Sequence, residues 1–164
     1  MGMYYDLYTV SDAQAQDLLN NPETIHTFLE IHDADYDSPT SLSLEKCWHG
    51  IHFALTHTAW EGEKPLNFLM AGETVGDVDI GYGPARILFS EDVLHIEEAL
   101  AEFTEQDFDR NFDVIAMEEA EIYPQIWDEP RADLLAEYQS HFQALKQFIR
   151  YSAENKKAIV MTVK

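Results

Sequence analysis

The sequence predicts a single α/β domain of mixed α+β character, in which a small mixed sheet is sandwiched by helices. Three observations carry that prediction. Strand-like stretches stand near both ends of the 164 residues, at 3–10 and 158–163. The longest periodic apolar stripe, over residues 129–153, has helical spacing, and a second apolar helix is expected over 43–58. Nothing resembling a repeat, a low-complexity tract or a linker divides the chain, and one domain of this length buries roughly 70% of its unfolded surface.

The elements follow in order. Met3 to Val10 alternates, with Met3, Tyr5 and Leu7 on one side, which is the pattern of a half-buried strand. Ser11 with Gln14 makes a capping box that opens a short helix ending near Asn20. Pro22 suits a first helical position, so residues 23–31 form a second helix with Ile25, Phe28 and Leu29 inward. An acidic loop holding Asp33, Asp35 and Asp37 comes next. Ser43 is expected to cap the core helix, on which Leu44, Cys47, Trp48, Ile51 and Leu55 recur at helical spacing. Leu66 to Ala71 reads as a short apolar turn, residues 72–83 as a glycine-rich loop, and 85–89 as a brief strand. Ser90 is expected to cap a helix bearing Val93, Ile96, Leu100 and Phe103, and Thr104 with Asp107 restarts another. A helix over 112–122 stops ahead of Pro124, because the residue before proline is driven out of the α region. The long helix ends at Asn155, Lys156 and Lys157, where positive charge suits the negative pole of the dipole, and a β-branched strand closes the sequence.

Charge narrows the function. Ten basic residues face 31 acids, a formal net charge of −21. The first 45 residues hold nine acids and no base; residues 91–129 hold fourteen acids and only Arg110. This argues against nucleic acid phosphates and against an anionic membrane, and it suits a basic protein partner. Cys47 is the lone cysteine, so no intrachain disulfide forms and a reducing, cytoplasmic setting is expected. The opening residues lack the basic and apolar regions of a signal peptide, and no window reaches the ~20 apolar residues that span a bilayer.

Three segments taken together resemble the YfbM-like family of small bacterial proteins, a domain of unknown function. They are Leu44–Glu45–Lys46–Cys47–Trp48–His49–Gly50–Ile51–His52–Phe53–Ala54–Leu55–Thr56; Gly81–Tyr82–Gly83–Pro84–Ala85–Arg86–Ile87–Leu88 with Ser90–Glu91–Asp92–Val93; and Met117 with Glu121–Ile122–Tyr123–Pro124. The resemblance spans essentially the whole chain. It implies a mixed α/β sandwich in three layers, and it implies no established activity.

Several constellations invite chemistry. Glu45, His49 and His52, spaced four and three apart, would share one helical stripe and make a workable metal face. No second ligand cluster supports it, so neither a metal nor a cofactor is predicted. Gly81–Tyr82–Gly83 fails as a dinucleotide loop, since Arg86 stands where the third glycine belongs. Asp77 and Asp79 fail as a calcium loop, since Leu88 replaces the closing glutamate. Arg86 is expected to pair with a carboxylate rather than to bind an anion. Cys47, beside Trp48 on the core face, is expected to be inert packing. The serines lack a nucleophile elbow.

Two functional readings remain beside the bland one of a housekeeping protein with no conspicuous partner. In the first, a non-enzymatic protein engages a basic partner through Glu91, Asp92, Glu97, Glu98, Glu102, Glu105, Asp107 and Asp109; neutralising a basic toxin, as an immunity protein does, is its sharpest form. In the second, Trp48, His52, Tyr82, Arg86, Glu121 and Tyr123 line a pocket for a phosphorylated or ADP-ribose-like small molecule, with His52 as base, Arg86 as anion anchor, Glu121 as acid and Tyr123 as donor. A buried polar network is the plainer reading of those last four.

Overall fold

The computed structural model describes residues 2–33 and 38–164. Asp35 and Asp37 of the expected acidic loop lie outside them. Among the described residues the chain forms five strands and seven α-helices: β1 Tyr5–Val10, α1 Asp12–Asn20, α2 Ile25–His32, β2 Ser41–Glu45, α3 Trp48–Thr56, β3 Glu73–Thr74, β4 Arg86–Leu88, α4 Ser90–Glu102, α5 Glu105–Asn111, α6 Val114–Glu119, α7 Arg131–Glu154 and β5 Ala158–Val163. Short 3-10 turns stand at Pro22–Thr24 and Phe68–Met70.

The strand order is β2-β1-β5-β4-β3. Every pairing is antiparallel, where a mixed sheet was expected. β5 is the central strand, and Ala158 to Met161 are shut away from water on both faces, which is why it reads as an unbroken β-branched run. It pairs with β1 from Tyr5↔Val163 to Val10↔Ala158 and with β4 through Ile87↔Val160.

Alternation along these strands divides the core in two. Tyr5, Leu7, Leu88, Ile159 and Met161 face α3 to α7. Tyr8, Val10, Ile87, Ala158 and Val160 face Ala15, Leu18, Ile25 and Leu29 of α1 and α2. The mixed α/β architecture in three layers is therefore borne out, with a large helical layer on one face and a small one on the other. No helix among the described residues is long and apolar enough to cross a membrane.

Local differences have local causes. Residues 41–45 are a strand rather than the start of the core helix, and Ser43 caps nothing. The stretch Ser-Leu-Ser-Leu alternates with period two, and the otherwise open edge of β1 supplies a partner through Leu7↔Leu42. Glu45 then takes a left-handed φ of 51°, which breaks the chain away before α3 begins at Trp48. Ser90 is inside α4 rather than its cap; its N–H and hydroxyl both donate to Asp12 of α1. Helix α6 starts later than expected because the Asp113 carboxylate accepts the N–H groups of Ile115 and Ala116. Both expected capping boxes, Ser11 with Gln14 and Thr104 with Asp107, are formed.

Two close approaches fix how α3 sits. A Cβ on Gly50 would lie 2.5 Å from the Tyr138 ring, so only glycine lets α3 pack this tightly on α7. Asn111 of α5 donates its amide to the Ala54 carbonyl, 2.8 Å away, tying α5 to the end of α3.

Candidate functional site

The acids of α4 border a groove. Val93, Ile96 and Leu100 recur at helical spacing and bury one face of the helix, which turns Asp92, Glu98 and Glu102 outward. Opposite them runs the segment from Lys64 to Glu73. Between the two lies a cleft of 840 Å³ at the β3 edge of the sheet, floored by Phe68, Leu88, Ile96 and Ala99. Its walls carry the carboxylates of Glu73, Asp92, Glu98 and Glu102, with His95 and Lys64. A second cleft of 640 Å³ shares Lys64, Pro65, Ala99 and Glu102 with the first and adds Glu63, Thr56 and Thr58. The two clefts adjoin along α4 through these shared residues, and the pair is called the channel below: apolar beneath and acidic above.

The eight acids singled out from sequence thus separate. Asp92, Glu98 and Glu102 wall the channel. Glu97 turns to Arg150 of α7 at 3.9 Å, and Asp109 pairs with Arg131 at 3.0 Å. Asp107 closes the capping box of α5 and pairs with Arg110. Bonds from the Thr104 backbone and side chain hold the Asp107 carboxyl below the usual range. Glu91 and Glu105 are exposed and border neither cleft. Glu73, Phe68 and Leu88 were not signalled by sequence as neighbours of α4, because it is the fold, with Glu73 paired to Ile87, that brings them there.

None of the six residues of the expected small-molecule pocket lines either cleft. Trp48 and Tyr123 do meet, with ring centres 5.9 Å apart. They hold the N-terminal strand: the Trp48 indole donates to the Met3 carbonyl, and the Tyr123 hydroxyl accepts the Met3 N–H. His52 is wholly enclosed, its Nε2 3.2 Å from the Thr56 hydroxyl, and its Nδ1 is sealed from solvent without a hydrogen bond of good geometry. Burial holds its imidazole down at about 4; the Glu61 backbone opposes this, and positive charge on His49 or Arg86 reinforces it. Tyr82 and Glu121 are exposed on turns, Glu121 with a left-handed φ of 55°.

Arg86 pairs with no carboxylate among the described residues, contrary to expectation. Its guanidinium donates to the carbonyls of Ala71 and Leu69 at 2.7 and 2.8 Å and, more weakly, to the Tyr5 hydroxyl at 3.4 Å. It caps the carbonyls left over where the 3-10 turn ends, which uses the planar fork of arginine as structural glue. Burial pushes the Tyr5 phenol up to about 12, with Arg86 pulling the other way. Arg86→Lys, which cannot reach both carbonyls at this spacing, is expected to cost about 1–3 kcal/mol by urea unfolding. An unchanged midpoint would show that those carbonyls are satisfied without the fork.

The metal stripe also dissolves. Glu45 lies on β2, and its carboxylate faces His141 at 3.4 Å. His49 is occupied at both nitrogens: Nδ1 accepts the Tyr123 N–H at 2.9 Å, which makes Nε2 the donor to the Ala59 carbonyl at 2.8 Å. Cys47 is buried as expected, and burial, then Glu137 and Glu45, push its thiol up to about 12, far from a reactive thiolate.

Fold and site together define a three-layer α/β domain with an acid-walled apolar channel beside its sheet edge. The chain belongs to the DUF1877 family, a domain of unknown function whose family model matches residues 1–162. It is similar in fold to the crystal structure of YfbM, a protein of unknown function from Escherichia coli, at 17% identity, covering 98% of this chain and 99% of that one, with a TM-score of 0.75. The YfbM-like resemblance seen in the three sequence segments is borne out. No curated protein matches the sequence.

Proposed function

We propose that this protein is a non-enzymatic binding protein whose channel along α4 receives a basic segment of a partner protein. The observation that carries this reading is the composition of the first cleft: four carboxylates and a single ammonium around a floor of Phe68, Leu88, Ile96 and Ala99. Carboxylates held beside low-dielectric walls raise the local concentration of cations and speed their capture. The floor supplies apolar area for the aliphatic stems of lysine or arginine, which lie along such surfaces while the charged heads meet the walls. A basic toxin is one partner of this chemistry, and with it the protein acts as an immunity protein. The reading places the protein in the cytoplasm, consistent with its single buried cysteine.

The test uses an octalysine peptide and calorimetry at low salt and at several hundred millimolar. Changing Asp92 to Asn with Glu98 and Glu102 to Gln is expected to weaken binding about tenfold, since three exposed charges are worth ~0.5 kcal/mol each. The salt dependence should flatten in parallel. Neutralising Glu91 and Glu105, which lie outside the channel, should change affinity about twofold at most. Equal weakening by the two sets would reduce the channel to generic surface charge and overturn the reading.

A further inference from the structure

We propose that Trp60, on the loop whose neighbouring residues wall the second cleft, is the stacking platform for an arginine side chain of the bound basic segment; this rests on the reading of a basic partner given above. The three tryptophans are not alike. Trp48 and Trp127 are 3% and 4% exposed, and their indole N–H groups donate to the carbonyls of Met3 and Ile122. Trp60 is 61% exposed. An indole left in water yet held in place is the usual sign of a recognition surface, where tryptophan and arginine dominate the affinity.

Trp60 is held from behind. Its ring lies 4.3 Å from that of His49 at an interplanar angle of 34°. His49 is itself fixed by Ala59 and Tyr123 and is stacked on Trp48 at 5.1 Å. The indole is thus backed by a buried stack while most of its surface stays open to solvent. The loop carrying it is also anchored: the Thr58 hydroxyl accepts the Glu61 N–H, and the Gly62 carbonyl accepts the Asn67 amide. Thr58, Gly62 and Glu63 wall the second cleft, so Trp60 stands on the loop that closes one side of the channel.

The chemistry around the ring selects the occupant. Glu61 and Glu63, both exposed, follow Trp60 one and three positions on in the same loop. An aromatic face beside carboxylates suits a cation. A guanidinium suits it better than an ammonium, because its plane lies flat on the indole while its edge donates to a carboxylate; a lysine head is a compact, strongly hydrated charge that satisfies one of these demands at a time.

Octa-arginine and octalysine carry the same charge and separate the two chemistries. Both are titrated into the protein with tryptophan emission as one readout, Trp60 being the solvent-facing indole, and calorimetry as the other. Octa-arginine is expected to bind about tenfold more tightly than octalysine and to change the emission. Trp60→Ala should erase that preference while leaving octalysine affinity within about twofold, and Trp60→Tyr should retain most of it. A preference for octa-arginine that survives in Trp60→Ala, or no preference in the native protein, overturns the platform and leaves the acidic channel standing. Failure of either peptide to bind the native protein at low salt overturns the basic-partner reading and this inference with it.

Discussion

Truncation of Phe142 to alanine is expected to lower the unfolding free energy by about 3–5 kcal/mol. Phe142 is fully enclosed on α7 at the junction of three helices. Its ring stacks on Phe108 of α5 at 4.6 Å and meets Phe103, just past α4, edge-on at 5.7 Å. The Lys146 ammonium lies 5.7 Å from the ring centre and donates to the Phe103 carbonyl at 2.8 Å. Removing the ring therefore empties a site lined from several directions, which helix packing cannot refill by small shifts. Phe142→Leu keeps most of the volume and should cost less than half as much. Urea unfolding followed by far-UV circular dichroism provides the comparison. A loss below about 1 kcal/mol for the alanine variant would mean that α4, α5 and α7 collapse around the gap, contrary to this packing.

Acid should destabilise the protein through His52. In the folded state its imidazole is held down at about 4, while in the unfolded chain it returns to an ordinary value near 6.5. Between these values the unfolded chain binds a proton that the folded protein refuses, so unfolding gains ground as pH falls. The associated stability is fully present above about 6.5 and is lost progressively down to about 4, some ~3 kcal/mol in all. Burial lowers the pKa of His49 as well, which adds a loss of the same sign. Protonation of the 31 carboxylates acts in the opposite sense over the lower part of this range, by relieving self-repulsion. His52→Gln isolates the histidine: its stability should fall less steeply between pH 7 and pH 5 than that of the native protein. A resonance for the His52 imidazole that titrates near 6.5 would remove the basis for this expectation.

What could be read from sequence depended on how local the cause was. Strand β5, helix α7 and the two capping boxes follow from residues within a few positions of one another, and they were legible. Strand β2 was not, because Leu44 satisfies both a period of two and the helical spacing of Cys47, Trp48 and Ile51. Only the distant edge of β1 decides between them. The candidate site divides on the same line. Asp92, Glu98 and Glu102 stand out by charge and by their place opposite Val93 and Ile96. Their partners Phe68, Leu88 and Glu73 become partners only when β3 closes on β4. His49 and Arg86 were noticed, yet their roles were not visible, since His49 bonds residues ten and 74 positions away and Arg86 bonds carbonyls 15 and 17 positions before it.

The order β2-β1-β5-β4-β3 has a consequence for how this molecule comes into being. The middle strand is the last of the five to leave the ribosome, and its neighbour β1 is the first of them. Until residues 158–163 emerge, β1 and β4 have no common partner, and their inward edges stand open to whatever pairs with them. The two halves of the sheet are joined only after translation has passed almost every other part of the fold. Contacts of such long sequence separation make that final step slow and leave the nascent chain dependent on protection until it is complete.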